Sequence, residues 1–191
     1  MLNSAMKAVV AVSCALVLVV GAAAQAAPVN VLLGQTPIAE VGWQNFGSGG
    51  TGALTNGAWY DTGPYSSLTD GASVTYYLGS VTAVTTLGFQ ENVAGRAVPK
   101  FVTLTFSDTA DFAVSTDRVV SLVHVHDPQW SAFDMAAGQY LRVTMPAGQS
   151  NYDIDADDQW TATAEIQALT PEPTTLVLLA LGGLPLIRRR K

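Results

Sequence analysis

The chain has 191 residues, almost half of them hydrophobic, with a single cysteine and a net charge of −6 at pH 7. Between residues 27 and 169, four cations stand against fourteen carboxylates, so this segment carries ten net negative charges. Such an acidic balance argues against a nucleic-acid or anionic-lipid ligand and is compatible with divalent cations and neutral sugars.

The first 26 residues have the features of a secretory signal peptide. Lys7 precedes an apolar stretch over residues 8–21, and residues 24–26 read Ala-Gln-Ala, the small-residue pattern of a cleavage site. We expect cleavage directly after this triplet and export from the cytosol. Cys14 is lost with the signal peptide, which excludes disulfides, cysteine-ligated zinc and thiol catalysis in the exported chain.

Residues 27–169 are predicted to form one all-β domain. Short β-rich runs alternate with Gly, Pro, Asn and Asp, and no segment has sustained helical periodicity. The predicted strands are 29–33, 73–78, 84–90, 101–106, 118–126, 139–145 and 161–169. Seven or eight strands of this length predict a two-sheet antiparallel β-sandwich or jelly roll, with the signal helix before it and a hydrophobic helix after it.

Two of these strands carry information about their environment. In the 101–106 strand, apolar residues alternate with threonines, which predicts one buried face and one solvated face. Residues 119–125 place apolar side chains on both faces of the strand, which predicts a central strand covered on both sides.

Six short segments also follow the order of a known domain family. They are 30–37, 54–57 (Leu-Thr-Asn-Gly), 73–79 (ending in Tyr-Leu-Gly), 101–108 (ending in Ser-Asp), 139–144 and 164–166 (Ala-Glu-Ile). In this order they resemble the strands and loops of discoidin, or F5/8 type C, domains. The resemblance implies a galactose-binding-like jelly roll that holds ligands in the loops at one end.

The same resemblance implies a calcium site. In lectin-like members of the family, a structural calcium lies between the Leu-Thr-Asp-Gly loop and the glutamate of the last strand, which corresponds here to Asn56, Asp61 and Glu165. Oxygen ligands of this kind suit Ca²⁺. The alternative is an Asx turn at Asn56 and an ordinary strand-end hydrogen bond at Glu165. No other cofactor is expected.

Aromatic side chains are concentrated in or beside the predicted loops. They are Trp43, Trp59, Tyr60, Tyr65, Trp130, Tyr152 and Trp160. A flat ring can stack on the apolar face of a pyranose while polar neighbours bind its hydroxyl groups. We expect carbohydrate binding, with Trp43, Trp130 and His126 as the candidate ligand residues. The alternative is that several of the tryptophans close the ends of the sandwich.

Enzymatic motifs are sparse. His124 and His126 are two apart in a predicted strand and would share a face as metal ligands, but nothing indicates a third ligand. There is no Gly-x-Ser-x-Gly elbow, no His-Glu-x-x-His and no phosphate-binding loop. We therefore expect a protein that is not an enzyme. A polysaccharide hydrolase or lyase using these histidines is the alternative, and a purely structural surface protein is the third option.

Residues 170–191 end the chain with three elements in a fixed order. A Pro-Glu-Pro triplet precedes an apolar run over 176–187 and a basic end, whose defining residues are Pro171, Glu172, Pro173, Arg188, Arg189 and Arg190. A helix over 174–187 would be about 21 Å long, shorter than the hydrocarbon core of about 30 Å. This order resembles the PEP-CTERM sorting signal of Gram-negative bacteria.

The sorting resemblance implies a route and partners. An exosortase would process an inner-membrane intermediate and deliver the protein to the cell surface or extracellular matrix. Together with the aromatic loops, this predicts an exported envelope protein that binds extracellular polysaccharide or builds the matrix.

Overall fold

The computed structural model describes residues 27–44, 50–59, 64–67, 71–91, 98–123, 125, 127–148 and 160–171. Residues 29–170 form one compact unit, and a second unit comprises residues 1–28 and 171–191, of which only 27, 28 and 171 are described. The predicted signal helix and C-terminal hydrophobic helix lie outside the described residues. Within the described ranges, no helix is long and apolar enough to cross a membrane.

The described part of the compact unit is almost entirely β-structure. Its strands are β1 (Ala39–Val41), β2 (Trp43–Gln44), β3 (Tyr65–Ser67), β4 (Ala72–Glu91), β5 (Phe101–Ser107), β6 (Ser115–Ser121), β7 (Gln129–Met145) and β8 (Trp160–Leu169). A short 3-10 helix spans Thr51–Thr55. All strand pairings in this part of the chain are antiparallel.

Two long strands organise the sheet. The strand order is β2-β3-β8-β4-β7-β5-β6, with β1 added to β4. The first half of β4 lies between β1 and β7, and its second half lies between β7 and β8. The register shifts between Tyr77 and Thr82, beside Gly79, whose φ of 81° is a conformation that favours glycine. The sheet therefore curls at this point into the two layers of the predicted sandwich.

The core follows from the alternation along the strands. Val102, Leu104 and Phe106 of β5 are buried, whereas Thr103 and Thr105 are only partly buried, as predicted. Inward-facing residues of β4 and β7 complete this row of the core. Burying a large apolar side chain contributes about 1.5–3 kcal/mol, so these rows hold the two layers together.

Several predicted strand limits are wrong. Residues 29–33 form a turn with one isolated bridge, because the Asn30 side chain accepts the N–H groups of Leu32 at 3.1 Å and Ala168 at 3.2 Å. The predicted strands 73–78 and 84–90 are one strand, β4. The predicted strand 139–145 begins ten residues earlier, at Gln129, and β1 to β3 were not predicted.

The predicted central strand over residues 119–125 is also wrong. β6 ends at Ser121 and lies at one end of the strand order. Val119 is 63% exposed and Val123 is 62% exposed, whereas Val120 and Leu122 are buried. Only one face of this strand is covered, so apolar residues on both faces do not identify a central strand here.

Candidate functional site

Trp130 stands on the sheet surface near the start of β7. Its side chain is 49% exposed and lies opposite Gly88 of β4. A Cβ atom added to Gly88 would lie only 2.6 Å from Cζ3 of Trp130. The indole therefore occupies the space that a side chain at position 88 would fill, and the glycine determines how the ring lies on the sheet.

Trp59 packs against this ring from the neighbouring loop. The ring centroids of Trp59 and Trp130 are 5.4 Å apart, with the planes at 67°, the edge-to-face arrangement that aromatic pairs prefer. Trp59 is half-buried. We call these two residues the tryptophan pair. The pair forms a rigid, partly exposed apolar surface of the kind that stacks on a sugar ring.

The loop that carries Trp59 is tied to the last strand. The Gly57 N–H donates to both carboxylate oxygens of Glu165, at 3.1 and 3.2 Å. The Asn56 side-chain oxygen accepts the N–H of Ala58 at 2.7 Å, an Asx turn. Because Gly57 also has a φ of 82°, this Asn-Gly sequence suits the turn that presents Trp59.

Glu165 is a fully buried carboxyl group. Desolvation raises its pKa to about 7, although hydrogen bonds from the Gly57 N–H and the Gln167 amide, at 3.3 Å, act to lower it. The Tyr76 hydroxyl is buried without a hydrogen-bond partner among the described residues, and burial together with the charges of Glu165 and Glu40 raises its pKa. The surroundings of these two buried groups therefore disfavour an isolated negative charge.

The register of β4 with β8 and β7 places several polar groups beside the indole. Gln90 lies opposite Glu165, and Gln167 lies opposite Gly88, which is itself opposite Trp130. Positions two apart in a strand share a face, so all these side chains lie on one face of the sheet. Gln167 is half-buried and lies on the same face as Trp130, with Gly88 of β4 between them.

Two of the predicted carbohydrate residues, Trp43 and Trp130, lie in different places. Trp130 belongs to the tryptophan pair. Trp43 instead packs against the core, and its indole N–H donates to the Ser73 carbonyl at 2.9 Å, at the opposite end of β4 from Gly88. His126 lies outside the described residues.

Of the three predicted calcium residues, Asn56 and Glu165 lie in segments that are joined by a hydrogen bond. Glu165 accepts a hydrogen bond from Gly57, the residue after Asn56, while Asp61 lies outside the described residues. The Asn56 oxygen is already engaged in its Asx turn, as the alternative interpretation expected. The described residues contain no group of three or more His, Cys, Asp or Glu that could hold a metal ion.

The sorting residues are not placed by the structure. Pro171 is the last described residue, and the others lie outside the described ranges: Glu172, Pro173, Arg188, Arg189 and Arg190. His124, the partner of His126 in the enzymatic alternative, is also outside them.

Sequence reasoning missed the importance of Gly88 and the pairing of Trp59. Gly88 was available as a signal, because a glycine inside a β-rich run often marks a close approach of another group. The contact between Trp59 and Trp130 joins residues far apart in the chain, and no local sequence pattern predicts it.

No protein-family model and no curated protein matches this sequence. Solved structures do match. A chitosan-binding module from a chitosanase/glucanase of Paenibacillus sp. IK-5 has a TM-score of 0.54 at 14% identity, covering 73% of this chain and 98% of the module. A fucose binding module of Streptococcus pneumoniae has a TM-score of 0.54 at 8% identity, covering 75% of this chain and 96% of the module.

A third similar structure is CBM32-3 from a family 31 glycoside hydrolase of Clostridium perfringens. Its TM-score is 0.56 at 12% identity, and the match covers 75% of this chain and 95% of the module. At these identities the similarity establishes the fold alone. The compact unit has the β-sandwich fold of these modules, as the sequence predicted.

Proposed function

We propose that the compact unit binds carbohydrate through the tryptophan pair and catalyses no reaction itself. The observation that carries this proposal is the half-exposed indole of Trp130, fitted onto Gly88 and braced at its edge by Trp59. A pyranose stacked on this indole would remove apolar surface from water, and the Gln167 amide is placed to bind a hydroxyl group.

The similar structures support this assignment. Two of them are binding modules, one for chitosan and one for fucose. The residues described at this site include Glu165 and no Lys or Arg, which favours a neutral or amine-bearing sugar over an anionic one. Both considerations make extracellular polysaccharide the ligand class that we propose.

The test is Trp130→Ala in the full-length protein, held in a polyoxyethylene detergent that carries no sugar. Glycans that bind the wild type on an array are then titrated calorimetrically. Losing a central aromatic anchor should cost about 2 kcal/mol, or about 30-fold in affinity. Met135→Ala is the matched control, because Met135 lies in the same strand with a similar exposure, 47%, and should leave binding unchanged.

Two results would overturn the proposal. Unchanged affinity in Trp130→Ala would show that the tryptophan pair is not the site. Shortening of the polymer during incubation with the wild type would support the hydrolase or lyase alternative instead.

We also propose that residues 1–26 direct export and that residues 170–191 direct sorting through an exosortase to the envelope or matrix of a Gram-negative bacterium. The support is the order of sequence elements at the two ends of the chain. Mass spectrometry of the secreted product should find an N-terminus at Ala27. It should also find a C-terminus near the Pro-Glu-Pro triplet, and an intact tail in a strain with exosortase would contradict the sorting role.

A structural calcium bound by Asn56, Asp61 and Glu165 is a further proposal. A cation beside Glu165 would offset the desolvation of its carboxylate and tie the 56–59 loop to β8 more firmly. Millimolar Ca²⁺ should then raise the melting temperature, and a chelator should reverse the rise. An identical midpoint with calcium and with chelator would reject the site.

A further inference from the structure

A second aromatic cluster lies on the other half of the sheet. Tyr77 of β4 and Tyr140 of β7 are directly opposite, with ring centroids 5.1 Å apart. Phe112, from the loop between β5 and β6, contacts Tyr140 edge-on at 6.4 Å and covers Arg142, whose guanidinium carbon is 4.0 Å from the Phe112 ring centre. We call these four residues the tyrosine platform.

Strand register places the platform on the solvent face of the sandwich. Tyr76 and Leu141, the neighbours of the two tyrosines, are buried in the core. Tyr77 and Tyr140 therefore point to the opposite face, and Tyr77 is 43% exposed. Hydroxyl-bearing side chains border the platform on this face: Ser73, Thr75, Thr103, Thr105 and Thr144.

Phe112 is held in place against a conformational cost. Its φ of 56° lies in the left-handed region, which residues with a side chain rarely adopt. The loop maintains it through hydrogen bonds, since Asp111 accepts the Thr109 hydroxyl at 2.6 Å and the Ala113 N–H at 3.1 Å. These hydrogen bonds thus hold Phe112 in an unfavourable backbone conformation that places its ring over Arg142.

Arg142 is chemically unusual in this chain. Residues 27–169 include fourteen carboxylates and only four cations. Arg142 nevertheless has no carboxylate partner among the residues that the structure describes. Its Nε atom lies 3.4 Å from the Thr75 hydroxyl, a long contact, and its guanidinium carbon lies over the Phe112 ring. Among the described residues, only the Nε of this guanidinium has a hydrogen-bond partner, so its terminal N–H groups remain for a ligand.

We propose that the tyrosine platform is a second binding site, and that it takes a carboxylate-bearing pyranose such as a uronic acid residue of a glycan. The sugar ring would stack on Tyr77 and Tyr140, and its carboxylate would pair with the Arg142 fork. This site is separate from the tryptophan pair and shares no residue with it.

The net negative charge of the domain does not prevent this contact. At physiological ionic strength, charges more than about 8 Å apart are largely screened, whereas a bidentate arginine–carboxylate pair acts at hydrogen-bond distance. Charge complementarity is thus local, and Arg142 supplies the only positive charge of the platform.

The experiment uses two matched ligands that differ only at one carbon of each sugar. A β-1,4-linked trimer of glucuronic acid and its neutral counterpart, cellotriose, are titrated into the full-length protein in the same sugar-free detergent. Both are also titrated into Trp130→Ala, which removes the tryptophan pair. The glucuronate trimer should bind both proteins equally, and cellotriose should bind Trp130→Ala at least about tenfold more weakly than the glucuronate trimer does.

Arg142→Gln should weaken binding of the glucuronate trimer at least about tenfold, and Arg142→Lys should also weaken it, because lysine keeps the charge and loses the fork. Lys100→Gln is the control, since it changes the net charge equally at an exposed position outside the platform. Tyr77→Ala tests the stacking surface if an Arg142 variant fails to fold.

The proposal is overturned if Arg142→Gln or Tyr77→Ala binds the trimer as the wild type does. It is equally overturned if Lys100→Gln loses as much affinity as Arg142→Gln, or if cellotriose binds Trp130→Ala as tightly as the glucuronate trimer. Loss of trimer binding in Trp130→Ala with full binding in Arg142→Gln would place the ligand on the tryptophan pair instead. The two binding proposals therefore succeed or fail separately.

Discussion

The Trp130 indole lies in the space that a side chain at position 88 would occupy, and Gly88 leaves this space open. One hydrogen atom in place of a methyl group thus sets the height and tilt of the exposed ring on the sheet. At the second aromatic cluster, Phe112 has a comparable role, because its strained backbone keeps a ring over Arg142. In both places the exposed aromatic surface depends on a residue that is not itself one of the proposed stacking rings.

Gly88→Ala is expected to destabilise the protein by about 1–3 kcal/mol, because the new methyl group would lie 2.6 Å from the Trp130 ring. Urea unfolding measures this free energy. The cost should fall sharply in a Trp130→Ala background, where the methyl group finds space. Gly52→Ala is the matched control, since a Cβ there has no neighbour within 4 Å, and it should be close to neutral. Equal costs in both backgrounds would contradict the contact.

At the scale of elements, β4 and β7 run through both layers, and each aromatic site is built where they pair. The tryptophan pair uses the second half of β4 and the start of β7, and the tyrosine platform uses the other halves. β6, in contrast, closes one end of the strand order and covers the core with one face only.

Neighbouring valines of β6 should therefore respond differently to the same change. Val120→Thr buries a hydroxyl group at a position that is 4% exposed and should cost about 1–3 kcal/mol. Val119→Thr, at 63% exposure, should stay within about 0.5 kcal/mol of the wild type. The measurement is again urea unfolding, and similar losses for both variants would place β6 inside the sandwich.

For the whole molecule, the buried Glu165 links stability to pH. Its pKa is about 7 in the folded protein and 4.5 when the carboxyl group is unperturbed. Between these values the folded state keeps a proton that the unfolded chain has released, so folding is favoured at the acidic end. The free energy of unfolding should fall as pH rises from 4.5 to 7, by at most about 1.4 kcal/mol per unit from this group.

Glu165→Gln should flatten this dependence and make the protein more stable than the wild type above pH 7, because an amide carries no charge to desolvate. Unfolding curves at pH 5, 6, 7 and 8 in the presence of chelator compare the two proteins without calcium. Parallel pH profiles would show that Glu165 is not the group responsible.

The sequence by itself was sufficient for the fold class and for Trp130 as a candidate. Alternating apolar residues, as in β5, report which face of a strand is buried, and turn residues report where strands end. Both signals are local in the sequence, so they can be interpreted without knowing which strands pair with each other. The discoidin-like order of segments added the sandwich topology that the solved structures share.

Only the tertiary structure decided which aromatic rings act together. The pairing of Trp59 with Trp130, the separation of Trp43 from both, and the Tyr77–Tyr140 contact depend on register between distant strands. The burial of Glu165 and the edge position of β6 depend on what packs over each strand. A residue's own neighbours in the chain contain no information on these contacts, because long-range packing brings them together only after the sheet has curled.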